Sequence, residues 1–518
     1  MIRIGIDVGG TNTDAVLIDR QQVAGAVKTP TTADVTGGVR AALRNLLDET
    51  GRGDEVAAVM IGTTHFVNAV VQRRGLNRAA ALRICLPSSA SLRPMVDWPE
   101  DLAAVVDDGT YLVTGGHEYD GRPLAPLDEH AIAAAAREMR AADVTAAAVT
   151  AVFSPLTDEL EARAAEIMRQ EHPDLRITLS SALGRIGLLE RENVALLNAA
   201  LADLAAATVS AFEEAIADSG ITAPLFVTQN DGTVASIAVA RQAPVYGFAS
   251  GPTNSMRGAA FLSGLDDAMV LDIGGTTSDI GCLVNGFPRE ANNVVETGGV
   301  RTNFRMPDLL SIGIGGGTIV DPDTLAVGPQ SVGHRLTEAA IVFGGETMTL
   351  TDIAVAAGLA EIGENAAVAS LSRQKVKRVT AEVARRLEEA VDRMKTHAAP
   401  EPLLVVGGGA MLAPQAMGGI SEVLRVPHRG VANAVGAATA QVSGEVDRVF
   451  RNMTRDTLLA EAEAIARDNA IAAGADPTTL KTIEREDLPL AYLPGNAVRA
   501  RVRVVGDIGT LAHPQNAE

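Results

Sequence analysis

The chain has 518 residues, 47% of them hydrophobic and 21% charged, which is the composition of a globular protein and not of a disordered one. Its 44 lysine and arginine residues stand against 64 aspartate and glutamate residues, and the formal charge of −20 argues against nucleic-acid binding because such a surface repels phosphate backbones. Only Cys85 and Cys282 are present, too few for a zinc or iron–sulfur site, so we expect two buried, reduced thiols.

The N-terminus enters an apolar strand directly, without the basic region and long apolar stretch of a secretory signal. No apolar run approaches the ~18 residues of a membrane span. We therefore expect a soluble, cytoplasmic protein that binds neither membrane nor nucleic acid. A chain of this length is expected to hold about three domains. The boundaries we predict are 1–245 for a first lobe, 246–445 for a second lobe and 446–518 for a C-terminal segment.

Beta-branched runs repeatedly precede alanine-rich stretches, a pattern that favours α/β layers. Apolar residues alternate over 2–8, and an apolar run resumes at 15–18 after paired glycines, which predicts a β-hairpin at the N-terminus. The tail is expected to hold one helix and a short apolar strand at 502–505. The other predicted helices cover 127–141, 157–171, one long stretch over 190–218 that Gly220 ends, and the apolar stripe from Val383 to Met394.

An eight-residue pattern occurs twice in the chain. Asp7-Val8-Gly9-Gly10-Thr11-Asn12-Thr13-Asp14 is echoed 265 positions later by Asp272-Ile273-Gly274-Gly275-Thr276-Thr277-Ser278-Asp279. Each copy follows an apolar strand and precedes another apolar run. The repeat therefore predicts two related lobes that each open with a strand, a glycine turn and a strand, with a cleft between the lobes.

Paired glycines let backbone amides approach an anion without interference from side chains, and successive amides of such a turn form an anion-binding concavity. Asp7 and Asp272 would repel phosphate directly, so we expect them to bind Mg²⁺ or its waters. One turn alone would be explained better by an ordinary β-turn, but two matched turns that face each other predict a site that binds a triphosphate and its metal from opposite sides. The predicted phosphate contacts are Gly9, Gly10, Thr11, Asn12, Thr13, Gly274, Gly275, Thr276 and Thr277.

A third glycine turn follows the apolar strand at 403–406. Gly407, Gly408 and Gly409 are expected to hold the nucleoside against bare backbone, although a tight turn before a helix looks the same. The segment 313–318 is also glycine-rich and is expected to be another loop of the cleft. A P-loop is excluded because no G-x-x-x-x-G-K-[ST] motif occurs.

Taken in order, these motifs resemble those of the hydantoinase A/oxoprolinase family over about residues 1–445. The resemblance implies an α/β fold of two actin-like, ribonuclease H-like lobes of the acetate kinase–sugar kinase–Hsp70–actin type. It further implies an interdomain cleft that binds a nucleotide. We expect a short C-terminal appendage to follow the two lobes. The segments that carry the resemblance are 7–14, 62–68, 190–193, 250–252, 272–279, 312–317 and 407–409.

The same resemblance implies ATP- and Mg²⁺-dependent opening of a cyclic amide, such as a hydantoin, lactam or oxoproline-like ring, through phosphorylation of the amide oxygen. Asp7 and Asp272 would then be the catalytic residues that orient the metal, and a general-base role for Asp272 is the alternative. A carboxylase subunit or small-molecule kinase is a second hypothesis, and a nucleotide-driven switch module is a third.

On the substrate side, Thr63, Thr64, His65 and Asn68 follow a predicted strand at 56–61 and are expected to line the cleft. Long family members have His-Gly-Thr-Thr here, whereas Ile61 takes the place of that histidine. Arg301 is a further candidate for contact with the substrate, and salt bridging within the protein is the alternative. The resemblance also implies that long members carry further domains, and that many work with a second subunit. We therefore expect a partner hydrolase subunit and an oligomer.

Overall fold

The computed structural model describes residues 1–10, 12–31, 35–291, 294–491 and 493–509. The predicted N-terminal hairpin is confirmed, since the first two strands pair antiparallel with Ile2 opposite Asp19 and Val8 opposite Thr13. The elements up to residue 72 are β1 (Ile2–Val8), β2 (Asn12–Asp19), β3 (Gln22–Pro30), α1 (Val35–Thr50), β4 (Val56–Thr63) and α2 (His65–Gln72).

A parallel sheet is inserted next. Its strands run in the order β6-β5-β7-β8, and both helices predicted in this region are present. Asp128 caps the first of them by accepting a hydrogen bond from the N–H of Ala131 at 2.9 Å. The elements are β5 (Ala79–Leu86), α3 (Glu100–Val106), β6 (Asp107–Thr114), α4 (Glu129–Ala141), β7 (Ala146–Ala151), α5 (Glu159–Glu171) and β8 (Arg176–Leu179).

The prediction of one long helix over 190–218 is wrong: two helices meet there at 54°. The break falls at Leu201, because the carbonyl of Ala200 accepts a hydrogen bond at 2.6 Å from the backbone N–H of Asn77, which competes with continuation of the helix. The elements of this stretch are α6 (Leu188–Ala200), α7 (Ala202–Asp218), β9 (Leu225–Thr228), β10 (Thr233–Ser236), α8 (Ile237–Gln242) and α9 (Ser250–Ser263).

A second hairpin begins at Ala268, as the repeat predicts, and the apolar stripe from Val383 to Met394 is buried on a long helix. The elements are β11 (Ala268–Ile273), β12 (Ser278–Val284), β13 (Phe287–Pro288), β14 (Val295–Thr297), β15 (Val300–Thr302), β16 (Leu309–Ile312), β17 (Thr318–Val320), β18 (Val327–Ser331), α10 (Leu336–Ala339), α11 (Leu350–Ala356), α12 (Arg373–Met394), β19 (Glu401–Val406) and β20 (Ile420–Arg425).

The C-terminal part contains the expected helix and apolar strand, together with a strand that the sequence did not reveal. Its strands join the edge of the first sheet beyond β10. The proposed division into 1–245, 246–445 and 446–518 stays a prediction. The elements are α13 (Ala432–Thr439), β21 (Gln441–Phe450), α14 (Arg455–Ala472), β22 (Lys481–Pro489) and β23 (Val498–Gly506).

The two lobes are built on the same plan. The first sheet contains β3-β2-β1-β4-β9 and the second contains β16-β12-β11-β19-β20. In both, the first three strands are antiparallel neighbours and the last two run parallel to the central strand. This is the α/β fold of two ribonuclease H-like lobes that the resemblance implies.

Helices α9 and α13 cross closely, and α13 also packs against β1. The crossing depends on two glycines: a Cβ on Gly258 would lie 1.8 Å from the carbonyl oxygen of Ala432, and one on Gly436 would lie 1.8 Å from that of Asn254. Both cysteines are buried and free, as predicted. Among the described helices none alone is long and apolar enough to cross a membrane; the bent pair α6 and α7 meets that criterion only when combined.

Candidate functional site

The two predicted glycine turns have the same geometry. In the first glycine turn (residues 9–13), the N–H of Gly9 donates to the carbonyl of Asn12 at 3.0 Å. In the second glycine turn (residues 274–277), the N–H of Gly274 donates to the carbonyl of Thr277 at 2.8 Å. The aspartates that flank each turn lie opposite each other, Asp7 against Asp14 and Asp272 against Asp279. The sequence repeat is therefore a structural repeat.

The tips of both turns are open to solvent. Gly10, Gly275, Thr276 and Thr277 are exposed, while Gly9 and Asn12 are half-buried. Thr11 lies outside the described residues.

Thr13 differs from the expectation that it lines the rim, because it is fully buried and its hydroxyl lies 3.3 Å from that of Thr31. Its counterpart Ser278 is also buried and donates to the carbonyl of Ile314 at 2.6 Å. Both hydroxyls thus tie their turn to a neighbouring segment. A contact of Thr13 with phosphate stays a prediction.

Helix α9 brings the two repeated aspartates together. Asn254 donates to Oδ1 of Asp7 at 3.4 Å. The same helix packs on β11, which carries Asp272, and the hydroxyl of the next residue, Ser255, is close enough to Asp272 to oppose the rise in its pKa. Asn433 of α13 donates to Oδ2 of Asp7 at 2.8 Å. Because α9 packs on β4 of the first sheet and on β11 of the second, it brings the two aspartates to the same cleft.

The cleft concentrates negative charge. Burial, together with the nearby carboxylates of Asp14 and Asp272, raises the pKa of Asp7 to about 6. Burial is also the main cause that raises the pKa of Asp272, and it raises that of Asp279 to about 6. An ionised carboxylate in such surroundings is unfavourable unless a cation compensates it.

Lys28 of β3 supplies a positive charge on one side of the cleft. It lies opposite Asp14 in the sheet and its Nζ is 2.6 Å from Oδ1 of Asp14, while its charge also lowers the pKa of Asp272 in the other lobe. The equivalent strand of the second lobe, β16, carries Ser311 in this place, and its hydroxyl donates to Asp279. The repeat is therefore broken here, with a cation in the first lobe only.

The aspartates fit a divalent cation. Asp7 is 3% exposed, and two asparagine donors fix its orientation, as is usual for carboxylates that ligate metals. Across the described parts of the chain, no group of three or more His, Cys, Asp or Glu side chains is arranged to hold a metal ion by itself. Mg²⁺ commonly takes one or two carboxylates together with phosphate oxygens and waters, so Asp7 and Asp272 are the residues that would hold it.

The third glycine turn (residues 407–409) packs directly on the second. The N–H of Gly409 donates to the carbonyl of Ile273 at 2.7 Å. Gly407 has φ +88°, and a Cβ there would lie 2.2 Å from Oδ1 of Asp272, so no other residue fits. A cavity of about 460 Å³ opens beside Gly407 and Gly408, with Ile362 and Met411 in its wall. Its size and bare backbone suit a nucleoside.

The glycine-rich loop at 313–318 supports the second glycine turn from the other side. Gly316 donates its N–H to the carbonyl of Gly274 at 3.0 Å, and Gly317 donates to that of Gly275 at 2.7 Å. A Cβ on Gly315 would lie 2.6 Å from the backbone nitrogen of Thr276. The loop therefore fixes the shape of the turn through backbone contacts that only glycines permit.

The threonines predicted on the substrate side lie at the end of β4, next to the first glycine turn. Thr63 is opposite Val8 in the sheet, and the N–H of Thr64 donates to the carbonyl of Val8 at 3.4 Å. Asn68 donates to the hydroxyl of Thr64 at 3.2 Å. His65 is half-buried, burial lowers its pKa, and its ring has no hydrogen-bond partner within the described residues. The group therefore lies beside the first glycine turn, although Thr63 itself is buried, and its contact with a substrate stays a prediction.

Arg301 forms an ion pair with Glu190 at 3.2 Å, with 58% of its side chain exposed, so the alternative of salt bridging within the protein is present and its contact with a substrate stays a prediction. Arg191 is fully buried, and its guanidinium donates to the carbonyls of Ala151, at 2.6 Å, and of Arg185 and Ile186, both at 2.8 Å. Arg191 of the 190–193 motif therefore links the end of β7 to the segment before α6.

The residues that the sequence did not reveal are Asn254, Asn433, Lys28 and Ser311. Asn254 follows the 250–252 motif by two positions, which is the only local signal for any of them. The contacts of Asn254 and Asn433 with Asp7 span 247 and 426 positions of sequence.

Two family models match the chain: the hydantoinase/oxoprolinase N-terminal region over residues 3–172 and hydantoinase/oxoprolinase over residues 191–392. Caprolactamase subunit alpha of Pseudomonas jessenii is 28% identical over 69% of this chain and 54% of its own length. The acetone carboxylase beta subunit of Xanthobacter autotrophicus is 25% identical over 67% of this chain and 53% of its own length. The chain thus spans about half the length of these curated relatives.

Solved structures show the same fold. The ATP-dependent caprolactamase from Pseudomonas jessenii superposes with a TM-score of 0.78 at 20% identity, covering 99% of this chain and 88% of that one. A nucleotide-free acetone carboxylase gives a TM-score of 0.69 at 18% identity, covering 100% of this chain and 89% of that one.

Proposed function

Because the chain belongs to the hydantoinase/oxoprolinase family, we propose that it is an ATP- and Mg²⁺-dependent enzyme that opens a cyclic amide. The observation that carries the proposal is the pair of matched glycine turns joined by one helix, α9, which donates to Asp7 through Asn254 and packs on the strand that carries Asp272. Such a pair suits one triphosphate held from both lobes. The names of the caprolactamase relatives favour a lactam or similar ring.

In the proposed reaction, the amide oxygen of the ring attacks the terminal phosphorus of ATP, the new O–P bond forms, and the bond to the ADP oxygen breaks. Water then adds to the activated carbon, and the ring C–N bond breaks to leave an acyl phosphate and a free amine. A second water releases phosphate from the acyl group. Bound Mg²⁺ would neutralise charge on the phosphates.

The residues of this chain have separate tasks in that scheme. Backbone amides of the first and second glycine turns bind the phosphates, and the third glycine turn seats the nucleoside. Asp7 and Asp272 hold the metal, and Lys28 compensates charge on the transferring group. Thr63, Thr64 and His65 lie beside the first glycine turn, where the amide oxygen must come.

A second candidate function is a subunit of a carboxylase that phosphorylates another carbonyl compound. It is favoured by the similarity to subunits of acetone carboxylase and acetophenone carboxylase. Because these relatives and the caprolactamase relative are named as subunits, we propose that a partner subunit completes the reaction. A cytoplasmic location is part of the same proposal.

The test is ATP hydrolysis by the purified chain, alone and with a candidate partner, across hydantoins, lactams, oxoproline and simple ketones. The cyclic-amide function predicts that one ring stimulates ADP release and appears as its ring-opened product, and that Asp272→Asn abolishes both. Stimulation by a ketone with bicarbonate, and by no ring, would favour the carboxylase. A stable phosphorylated product would indicate a kinase.

A further inference from the structure

A cavity of about 480 Å³ lies in the first lobe, at the carboxyl ends of strands from two sheets. Its lining segments 181–186 and 229–231 directly follow β8 of the inserted sheet and β9 of the first sheet. Alternate residues of β21 form another wall, and Phe304 comes from the segment after β15. Clefts at carboxyl strand ends and at interfaces between domains are where α/β proteins bind small ligands.

The position of this first-lobe cavity relative to the glycine turns is fixed by the sheet. β9 lies two strands from β1, with β4 between them, so their ends are about 10 Å apart. Asn254, which donates to Asp7, also donates to the hydroxyl of Thr228 at 3.1 Å, and the next residue, Gln229, lines the cavity. The phosphates would therefore lie between the nucleoside cavity and the first-lobe cavity.

The cations in the wall are already neutralised. Arg305 pairs with Asp231 at 3.4 Å and with Glu445, and Arg499 donates to Asp447 at 2.7 Å. The other two arginines of the wall have partners outside it: Arg448 pairs with Glu461 at 3.2 Å, and Arg185 pairs with Glu290. The wall thus holds four arginines and three carboxylates, and each of these arginines already has a carboxylate partner. A ligand that carries its own carboxylate or phosphate would meet these acids without finding an unpaired arginine among them.

Other groups in the wall retain hydrogen-bonding capacity. The amide nitrogen of Gln229 and the hydroxyl of Ser181 have no partner within the described residues, and neither has Oε2 of Glu445. Leu156 and Phe304 add apolar surface. The set combines donors, acceptors and apolar walls, which suits the C=O, the N–H and the methylene face of a ring amide.

We propose that the first-lobe cavity binds the ring compound and selects a neutral cyclic amide over one that carries a carboxylate. This inference rests on the proposed function, which requires an acceptor on the side of the phosphates opposite to the nucleoside. Gln229 recognises the amide through its free N–H groups, and Leu156 limits the size of the ring.

The test is calorimetric titration of the full chain, loaded with Mg²⁺ and a nonhydrolysable ATP analogue, with caprolactam, hydantoin and 5-oxoproline as probes. We expect at least one neutral ring to bind about tenfold more tightly than 5-oxoproline, the ring with a carboxylate. Gln229→Ala should weaken the neutral ring about five- to tenfold, the effect of one lost hydrogen bond. Leu156→Trp should fill the cavity and weaken binding further. Gln330→Ala, at an exposed position on β18, is the matched control and should leave the affinity unchanged.

Thermal unfolding checks that each variant folds. If Leu156→Trp does not fold, the affinity of Gln229→Ala for the neutral ring tests the inference by itself. Tighter binding of 5-oxoproline than of either neutral ring, no binding of any probe, or full affinity in Gln229→Ala would each overturn the inference. Ring-dependent ATP hydrolysis with an unchanged KM in both variants would overturn the cavity assignment and leave the proposed function standing. Neutral-ring binding that both variants lose, without ring-dependent ATP hydrolysis, would support the cavity and contradict the proposed function.

Discussion

Asp7 receives hydrogen bonds from side chains that lie 247 and 426 positions away in the sequence, on the two helices that cross between the lobes. The position of Asp7 beside a glycine turn could be predicted, because it ends an apolar strand before paired glycines and recurs as Asp272. The hydrogen-bond partners of Asp7 could not be predicted, because neither Asn254 nor Asn433 lies in a recognisable local sequence motif. Lys28 could not be predicted as a residue of the cleft either, because its contact with Asp14 depends on the register of β2 and β3.

Replacement of Asp7 by asparagine should stabilise the fold at high pH. The folded pKa of about 6 exceeds the value of about 4 for an unfolded aspartate, so the folded chain holds this proton more tightly. The free energy of unfolding therefore falls as pH rises from about 4 through about 6, and the variant lacks this loss. We expect Asp7→Asn to gain about 1–2 kcal/mol at pH 8 and little at pH 4, in denaturant unfolding without Mg²⁺ or nucleotide. Lower stability than the wild type at pH 8 would contradict the account.

Lys28 should matter for phosphoryl transfer. A charged hydrogen bond to a phosphate is worth about 1.5–3 kcal/mol, so Lys28→Met should lower kcat for ring-stimulated ATP hydrolysis about 10- to 100-fold. Lys28→Arg should recover part of this loss. Lys377→Met, on the exposed face of α12, is the control. A kcat for Lys28→Met equal to that of the control would show that Lys28 does not face the transferring group.

At the scale of elements, the strands beside the glycine turns were predictable because alternating apolar residues specify them locally. The break between α6 and α7 was not, because it arises where the N–H of Asn77 reaches the carbonyl of Ala200 from a distant part of the chain. The same holds for the 190–193 motif, because the carbonyls that accept hydrogen bonds from Arg191 lie at the end of β7 and in the segment before α6.

The third glycine turn offers a matched pair of variants. A methyl group at Gly407, where φ is +88°, would lie 2.2 Å from Asp272 and 2.4 Å from the carbonyl oxygen of Ile273, whereas at Gly408 it would meet nothing within 4 Å. We expect Gly407→Ala to lose about 2 kcal/mol or more of stability and Gly408→Ala to unfold at nearly the wild-type temperature. Thermal unfolding of the two variants side by side makes the comparison. Equal stability would mean that the turn does not pack on Asp272 as described.

At the scale of the whole molecule, the repeat predicted two lobes of one plan, and the strand orders of the two sheets confirm it. The strands of the C-terminal part were harder to predict from the sequence. They pair with an edge of the first sheet, and only one of them has a clear apolar pattern. The crossing of α9 and α13 also escaped prediction, since close helix contact depends on glycines that come from separate parts of the chain.

This crossing can be tested with Gly258→Ala. The added methyl would lie 1.8 Å from the carbonyl oxygen of Ala432, a backbone atom, so the helices must separate. We expect about 3 kcal/mol of lost stability together with weaker nucleotide binding, because Asn254 and Ser255 lie on the displaced helix. Gly53→Ala, whose methyl would only touch the side chain of Leu47 at 3.4 Å, is the control. Unchanged nucleotide affinity in Gly258→Ala would argue that α9 does not align the two turns.

The central claim is that both lobes close on one nucleotide. The most direct measurement is a crystal structure of the chain with Mg²⁺ and a nonhydrolysable ATP analogue. The account predicts the terminal phosphate between the first and second glycine turns, the metal beside Asp7 and Asp272, and the adenosine against Gly407 and Gly408. A nucleotide bound elsewhere, or contacts to one glycine turn only, would contradict it.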